Sequence, residues 1–247
     1  MPRTARKESS TGIYHIMLRG INQQQIFEDD EDYEKFLEVL ADCKRVSMFK
    51  LYAYCLMGNH IHLLLKVEKE GLESIFKRIG ASYVFWYNWK YKRTGHLFQD
   101  RFKSEPIQSS EYFFTVIRYI HQNPVKAQLV DSIGTYRWSS YGEYLATTAT
   151  LTNTTPVLKT MQLDEFISFN NADNDDTCLD ETDTHRLSDN DAKEIVKKIS
   201  NCNSVAEFQR LGIQSRTQYL KQLKENGLSI RQISRLTGFS IGTIQRA

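Results

Sequence analysis

Apolar positions along the chain follow two rhythms, one of period two and one of period 3.6. TGIYHIMLRGI (residues 11–21) alternates loosely and ends in Arg-Gly, which predicts a strand. DDEDYEKFLEVLADCKRVS (29–47) opens on acidic residues and repeats Tyr33, Phe36, Leu37 and Leu40 at helical spacing. FKLYAYCLMG (49–58) and HIHLLLKVEK (60–69) read as two strands hairpinned at Gly58-Asn59. LESIFKRIGASYVFWYNWKYKR (72–93) is a second helix with Ile75, Ile79 and Tyr83 on one side. GHLFQDRFKSEPI (95–107) carries a fourth strand. SSEYFFTVIRYIHQN (109–123) is a third helix with a Ser N-cap, expected to stop at Pro124.

The resulting order, β-α-β-β-α-β-α, predicts an α+β domain: a ferredoxin-like antiparallel sheet with packed helices. It is expected over residues 1–146. Residues 147–191 are rich in Thr, Asn and Asp and read as a linker, with short helices allowed around LKTMQLDEFISF (158–169). Residues 192–247 read as a small helical domain.

Charge sharpens that division. Residues 147–192 carry two Lys and Arg against ten Asp and Glu, a net −8. Residues 193–247 carry ten against three, a net +7, which favours a polyanion as the partner of the tail. A basic surface on a soluble helical domain would leave the same count. The four cysteines are scattered with no C-x-x-C pair, so neither a zinc ribbon nor a disulfide scaffold is expected. No apolar run is long enough to span a membrane, and the basic, polar start has no signal-like core. The expectation is a cytoplasmic protein, a monomer or homodimer, with no membrane partner.

Two histidines stand one residue apart in the third strand. Strand alternation puts His60 and His62 on one face, about 6.5–7 Å apart at the backbone, and Ile61, Leu63 and Leu65 on the other. Such a pair can share a cation or sit hydrogen-bonded in a core, and it suits several unrelated metalloproteins. Tyr119 and Asn123, four apart, share a face of the third helix roughly 6 Å apart along its axis. Tyrosine can act as a nucleophile and an Asn amide oxygen as a neutral ligand. Each also has a structural reading, as a core aromatic and a helix C-cap.

The stretches YHIMLRGINQQQIF, GNHIHLLL, GHLFQDRFKS and YIHQNPVKAQLV followed by WSSY closely resemble the HUH single-strand DNA transposases with one catalytic tyrosine. The resemblance is to the REP-associated tyrosine transposase branch of the IS200-like family, and it covers about residues 12–145. It departs at Gly58, where proline is common in the family. It implies that His60, His62 and Asn123 hold a divalent metal, Mg²⁺ or Mn²⁺, over the scissile phosphate of single-stranded DNA. It further implies that Tyr119 attacks that phosphate, leaving a 5′-phosphotyrosine link and a free 3′-hydroxyl, at hairpin-forming repeats. Two imidazoles suit Mn²⁺ better than Mg²⁺. Phosphodiester exchange needs no ATP, and no phosphate-binding Gly-rich loop is present in the sequence.

By the same resemblance Arg19, Asn22 and Gln23 are candidates for reading a short DNA sequence. Lys90, Lys92, Arg93, Arg101 and Lys103, interleaved with aromatics, are candidates for backbone contact, or simply a solvated basic edge. The tail ENGLSIRQISRLTGFSIGTIQRA (225–247) resembles a helix-turn-helix for double-stranded DNA, with Ser240, Thr243, Gln245 and Arg246 facing the groove. Two rivals stay open: a non-enzymatic DNA-binding regulator that uses the tail, and a metallohydrolase in which Tyr119 is structural.

Overall fold

Strands of period two build a sheet with two different faces. The computed structural model describes residues 6–146, 151–179, 189–202 and 204–246. Its strands are β1 (Ile13–Arg19), β2 (Lys50–Met57), β3 (His60–Lys66) and β4 (Lys103–Pro106). They form an antiparallel sheet in the order β2-β3-β1-β4. Helices α1 (Asp30–Ser47), α2 (Leu72–Lys90) and α3 (Ser110–Lys126) complete the predicted order.

One sheet face is apolar: Ile16, Leu18, Leu51, Leu56, Ile61, Leu63 and Leu65 pack with Phe36 and Leu40 of α1 and Ile75, Ile79 and Tyr83 of α2. Each fully buried large side chain there contributes roughly 1.5–3 kcal/mol. On the opposite face Ala53, Cys55, Met57 and Leu64 pack with Val116, Ile117, Tyr119 and Ile120 of α3. That second face also carries His15 and His62, both fully buried. A hydrophobic sheet face thus anchors two helices, while its reverse combines a smaller core with polar side chains.

The structure corrects one expectation, at Pro124, and refines two others. The fourth strand is four residues long, because 95–102 leaves the sheet as a loop tied by a single bridge between Gly20 and Phe98. Pro124 does not stop α3, which continues to Lys126. Proline removes only one donor, and the amide of Ala127 still donates to Asn123 O at 2.9 Å. The segment expected as linker is partly folded, since α5 (Thr155–Thr160) and α6 (Leu163–Asn171) pack on α3 and α4 (Tyr141–Leu145) through buried Val157 and Phe166. Phe166 stacks on Tyr144 at 4.3 Å. The rest of that segment, 147–150 and 180–188, lies outside the described residues.

The chain divides into two units, 1–180 and 181–247. The second consists of α7 (Asp189–Ser200), α8 (Val205–Gln209), α9 (Ile213–Glu225), α10 (Ile230–Thr237) and α11 (Ile241–Arg246). Its core gathers Val196, Phe208, Leu220, Leu223, Ile233 and Ile244. Gly238 ends α10 at φ +73°, and a Cβ there would lie 2.9 Å from Val205, so the turn into α11 requires glycine.

His121 ties the first unit together. Its Nδ1–H donates to Asn170 Oδ1 of α6 at 2.8 Å and its Nε2 accepts from the Ser140 hydroxyl at 2.9 Å. Burial lowers its pKa to about 4, against the smaller opposing effect of the Asn170 bond. The unfolded chain takes up this proton near pH 6.5 and the folded chain only near 4. Stability is therefore undiminished above pH 6.5 and falls towards pH 4, by about 1.4 kcal/mol per pH unit for this residue. All three tryptophans lie in the first unit, so urea unfolding followed by tryptophan fluorescence should show that decline. His121→Gln should flatten it by about one proton, and an unchanged pH slope in that variant would refute the assignment.

Candidate active site

β3 delivers His60 and His62 to the α3 side of the sheet, as alternation requires, with their rings 5.1 Å apart and perpendicular. The Nδ1 of His60 lies 2.6 Å from Asn59 Oδ1, and Asn59 Nδ2 donates to Gln23 O at 3.4 Å. That orientation of the amide makes His60 Nδ1 the protonated nitrogen and Nε2 the basic one. His62 is fully buried. Its Nδ1 is 3.0 Å from His15 Nε2, and its Nε2 is buried with no hydrogen-bond partner. An open lone pair inside a core is costly unless something is to occupy it.

α3 brings Tyr119 against this pair. Its ring centroid is 5.6 Å from that of His62 and 5.9 Å from that of His15, both edge-on, and the Lys126 ammonium sits 5.6 Å over its face. Tyr119 is only 5 % exposed, so in this arrangement the phenol is covered. Asn123 follows one turn later, half-buried and on the same helical face. Four sequence-predicted residues therefore lie on two adjacent elements, with the His62 ring against those of both His60 and Tyr119.

The sequence reading missed His15. It lies on β1 opposite Glu105 of β4, while His62 pairs with Met17 two residues along. Glu105 Oε2 is 4.0 Å from His15 Nδ1, too far for a hydrogen bond but close for a charge. The same oxygen accepts the Tyr112 hydroxyl at 2.7 Å. Burial and the bond to Glu105 raise the Tyr112 pKa well above the ordinary phenol value, so it remains a donor. Burial lowers His15 to about 3. His62 falls well below the usual imidazole value through burial first, then through His15 and His60. Both rings are neutral at physiological pH, the form in which imidazole binds a metal.

Among the described residues no group of three or more His, Cys, Asp or Glu is placed to hold a metal. Two imidazoles and an amide fall outside that pattern. The open Nε2 of His62 and the basic Nε2 of His60 are nevertheless a donor pair of the right chemistry for a borderline divalent ion.

The expected DNA contacts scatter. Asn22 and Gln23 form a single 3-10 turn, both at positive φ, and Arg19 ends β1. Arg19 and Arg101 line one cleft of about 480 Å³ together with Lys77 and His96 over Phe76, Phe98 and Phe102. Lys92 and Lys103 are exposed. Arg93 donates to His96 O at 3.4 Å and lies over Tyr87. Lys90 is engaged within the fold: its ammonium binds Asp29 at 2.7 Å, Glu31 at 2.9 Å and the fully buried Asp32 at 2.8 Å. It cross-links α2 to the start of α1. In the tail Ser240, Gln245 and Arg246 are exposed on or beside α11, and Thr243 is half-buried.

The family described as transposase IS200-like matches residues 8–123, the stretch that holds the sheet, α1, α2 and the candidate site. Among solved structures, the REP-associated tyrosine transposase bound to a REP hairpin is similar in fold at 17 % identity, with a TM-score of 0.52, covering 62 % of this chain and 94 % of that one. A Deinococcus radiodurans protein described as a transposase is 16 % identical, with a TM-score of 0.35 over 49 % of this chain and 97 % of that one. No curated protein matches the chain. Among the described residues no helix is long and apolar enough to cross a membrane.

Lys90→Met should leave the buried Asp32 carboxylate without its cation and destabilise the first unit by about 2–3 kcal/mol, less than a fully buried pair because Lys90 is partly exposed. Affinity for a single-stranded oligonucleotide, read by fluorescence anisotropy, should stay within about twofold. Weaker binding at unchanged stability would return Lys90 to the DNA interface.

Proposed function

We propose that the first unit is a metal-dependent transposase and nuclease for single-stranded DNA that cleaves and rejoins strands through a 5′-phosphotyrosine intermediate at hairpin-associated sites. The reading rests above all on the open Nε2 of buried His62, with the rings of His60 and Tyr119 packed beside it. His60, His62 and Asn123 would hold the Mg²⁺ or Mn²⁺. When bound, that ion draws charge from the non-bridging oxygens of the scissile phosphate. Tyr119 supplies the nucleophile: its phenolic oxygen bonds to phosphorus as the bond to the 3′-oxygen breaks, and the phenol's proton is matched by one taken up at the new 3′-hydroxyl. The reverse attack joins a new strand, so no external energy source is consumed. Because the phenol is covered, DNA binding must uncover it, and rotation about its side-chain bonds is the shortest route.

The solved relative binds a REP hairpin, and a hairpin-forming single strand is the partner we assign here. Arg19 and Arg101 in their shared cleft, with Asn22, Gln23, Lys92, Arg93 and Lys103, are the proposed contacts. For the second unit we propose double-stranded DNA binding. α10, the Gly238 turn and α11 form a helix-turn-helix-like pair that presents Ser240, Thr243, Gln245 and Arg246. The protein is expected to act in the bacterial cytoplasm.

Labelled hairpin-flanked single strands incubated with the full chain and Mn²⁺ should yield a denaturation-resistant protein–DNA adduct. Tyr119→Phe should abolish it, and His62→Ala should reduce it by at least 100-fold, on the order expected for loss of metal-assisted charge stabilisation. Nicked DNA without an adduct would favour water as nucleophile; shifted, uncut DNA would favour a regulator. Separately, Arg246→Ala should weaken duplex binding and lower the salt slope by about one. An unchanged slope would remove that residue from the interface.

A further inference from the structure

The histidine outside the His-x-His pair, His15, is the most informative group near the site. Glu105, His15 and His62 lie on adjacent strands β4, β1 and β3 and on the same sheet face. Two neutral imidazoles 3.0 Å apart share one N–H. If His15 Nε2 carried it, His62 would hold its own proton on Nε2, and His15 would turn a lone pair from Nδ1 towards the Glu105 carboxylate. If His62 Nδ1 carries it, His15 holds its proton on Nδ1, which points an N–H dipole at the same carboxylate 4.0 Å away. Only the second arrangement is electrostatically favourable, and it leaves His62 Nε2 as a lone pair. The Tyr112 hydroxyl, donating to Glu105 Oε2 at 2.7 Å, keeps that carboxylate in place from α3.

We propose that His15 is a positioning residue: backed by Glu105 and Tyr112, it locks His62 in the Nδ1–H tautomer so that its Nε2 is permanently presented as a ligand. This rests on the metal reading for its purpose but not for its geometry, because the tautomer is set by protein groups alone. The chain of carboxylate, imidazole and ligand imidazole extends the common pairing of a ligand histidine with a hydrogen-bonding partner by one ring. Its occupants also explain why β1 tolerates a fully buried histidine in an otherwise apolar strand.

The test uses the full-length, metal-free protein labelled with ¹⁵N at histidine. Long-range ¹H–¹⁵N spectra should show His62 protonated at Nδ1 and unprotonated at Nε2. His15→Phe should abolish that preference and weaken Mn²⁺ binding, followed by the electron paramagnetic resonance signal of free Mn²⁺, by about 10–100-fold. His15→Gln, whose amide oxygen can accept from His62 Nδ1, should restore both to within a few-fold. Glu105→Gln should mix the tautomers without disturbing the fold, and it keeps the proposal testable if His15→Phe does not fold. A wild-type His62 protonated at Nε2, or a tautomer indifferent to both His15→Phe and Glu105→Gln, would overturn it. Wild-type protein with the expected tautomer, lost in the variants, but with no Mn²⁺ affinity would uphold the positioning role and remove the metal reading instead.

Discussion

Everything in the first unit depends on β3 serving two faces at once. Its odd-numbered residues Ile61, Leu63 and Leu65 are fully buried against α1 and α2, which fixes the strand's register. A slip of one residue would turn these three into the α3 face and the histidines into the apolar core, at a cost of several kilocalories per mole in lost burial alone. The hydrophobic residues between the histidines therefore set the register that places them, while Asn59 and His15 hold the two rings by hydrogen bonds.

The other face of the sheet shows what this arrangement costs. His15, His62 and His121 are all fully buried there or just beyond it. Each is neutral because burial penalises its charge, and each has at least one hydrogen bond to offset desolvation. The difference between them is instructive. His121 has both nitrogens satisfied, by Asn170 and Ser140, and acts as a tie between helices. His62 has one nitrogen satisfied and one left open, and the residue it leans on is itself supported from a neighbouring strand. Identical burial thus leaves one histidine fully satisfied and another with an open nitrogen, and the partners decide which.

Much of this was legible from the chain. Element order, the Gly58-Asn59 turn and the common face of His60 and His62 all follow from spacing that is local in sequence. Tyr119 and Asn123 are one helical turn apart and needed only the helix. What escaped was non-local. A lone histidine in IYHIMLR has no partner within its own strand, and its neighbours, His62 and Glu105, become visible only once the order β3-β1-β4 is known. Lys90 sits in a basic, aromatic run that suggested DNA, but the carboxylates that hold it lie some sixty residues earlier, at the start of α1. Short helices around 158–169 were legible in the acidic, Thr-rich stretch, but not the burial of Val157 and Phe166 in the core beside α3, which depends on distant partners.

Function and stability are joined at the same atoms. For the metal role proposed for His62, the imidazole must keep its lone pair around neutral pH. An exposed histidine, titrating near 6.5, would lose it to a proton in mildly acidic surroundings. Burial moves that loss far below neutrality, and the hydrogen bond from Nδ1 decides which nitrogen keeps the pair. The same burial makes the folded state resist protonation that the unfolded chain accepts, so the features that ready the site at neutral pH are those that weaken the fold in acid. Acid sensitivity in this unit is thus the thermodynamic counterpart of a preorganised nitrogen, and removing it by opening the site to water would surrender that preorganisation.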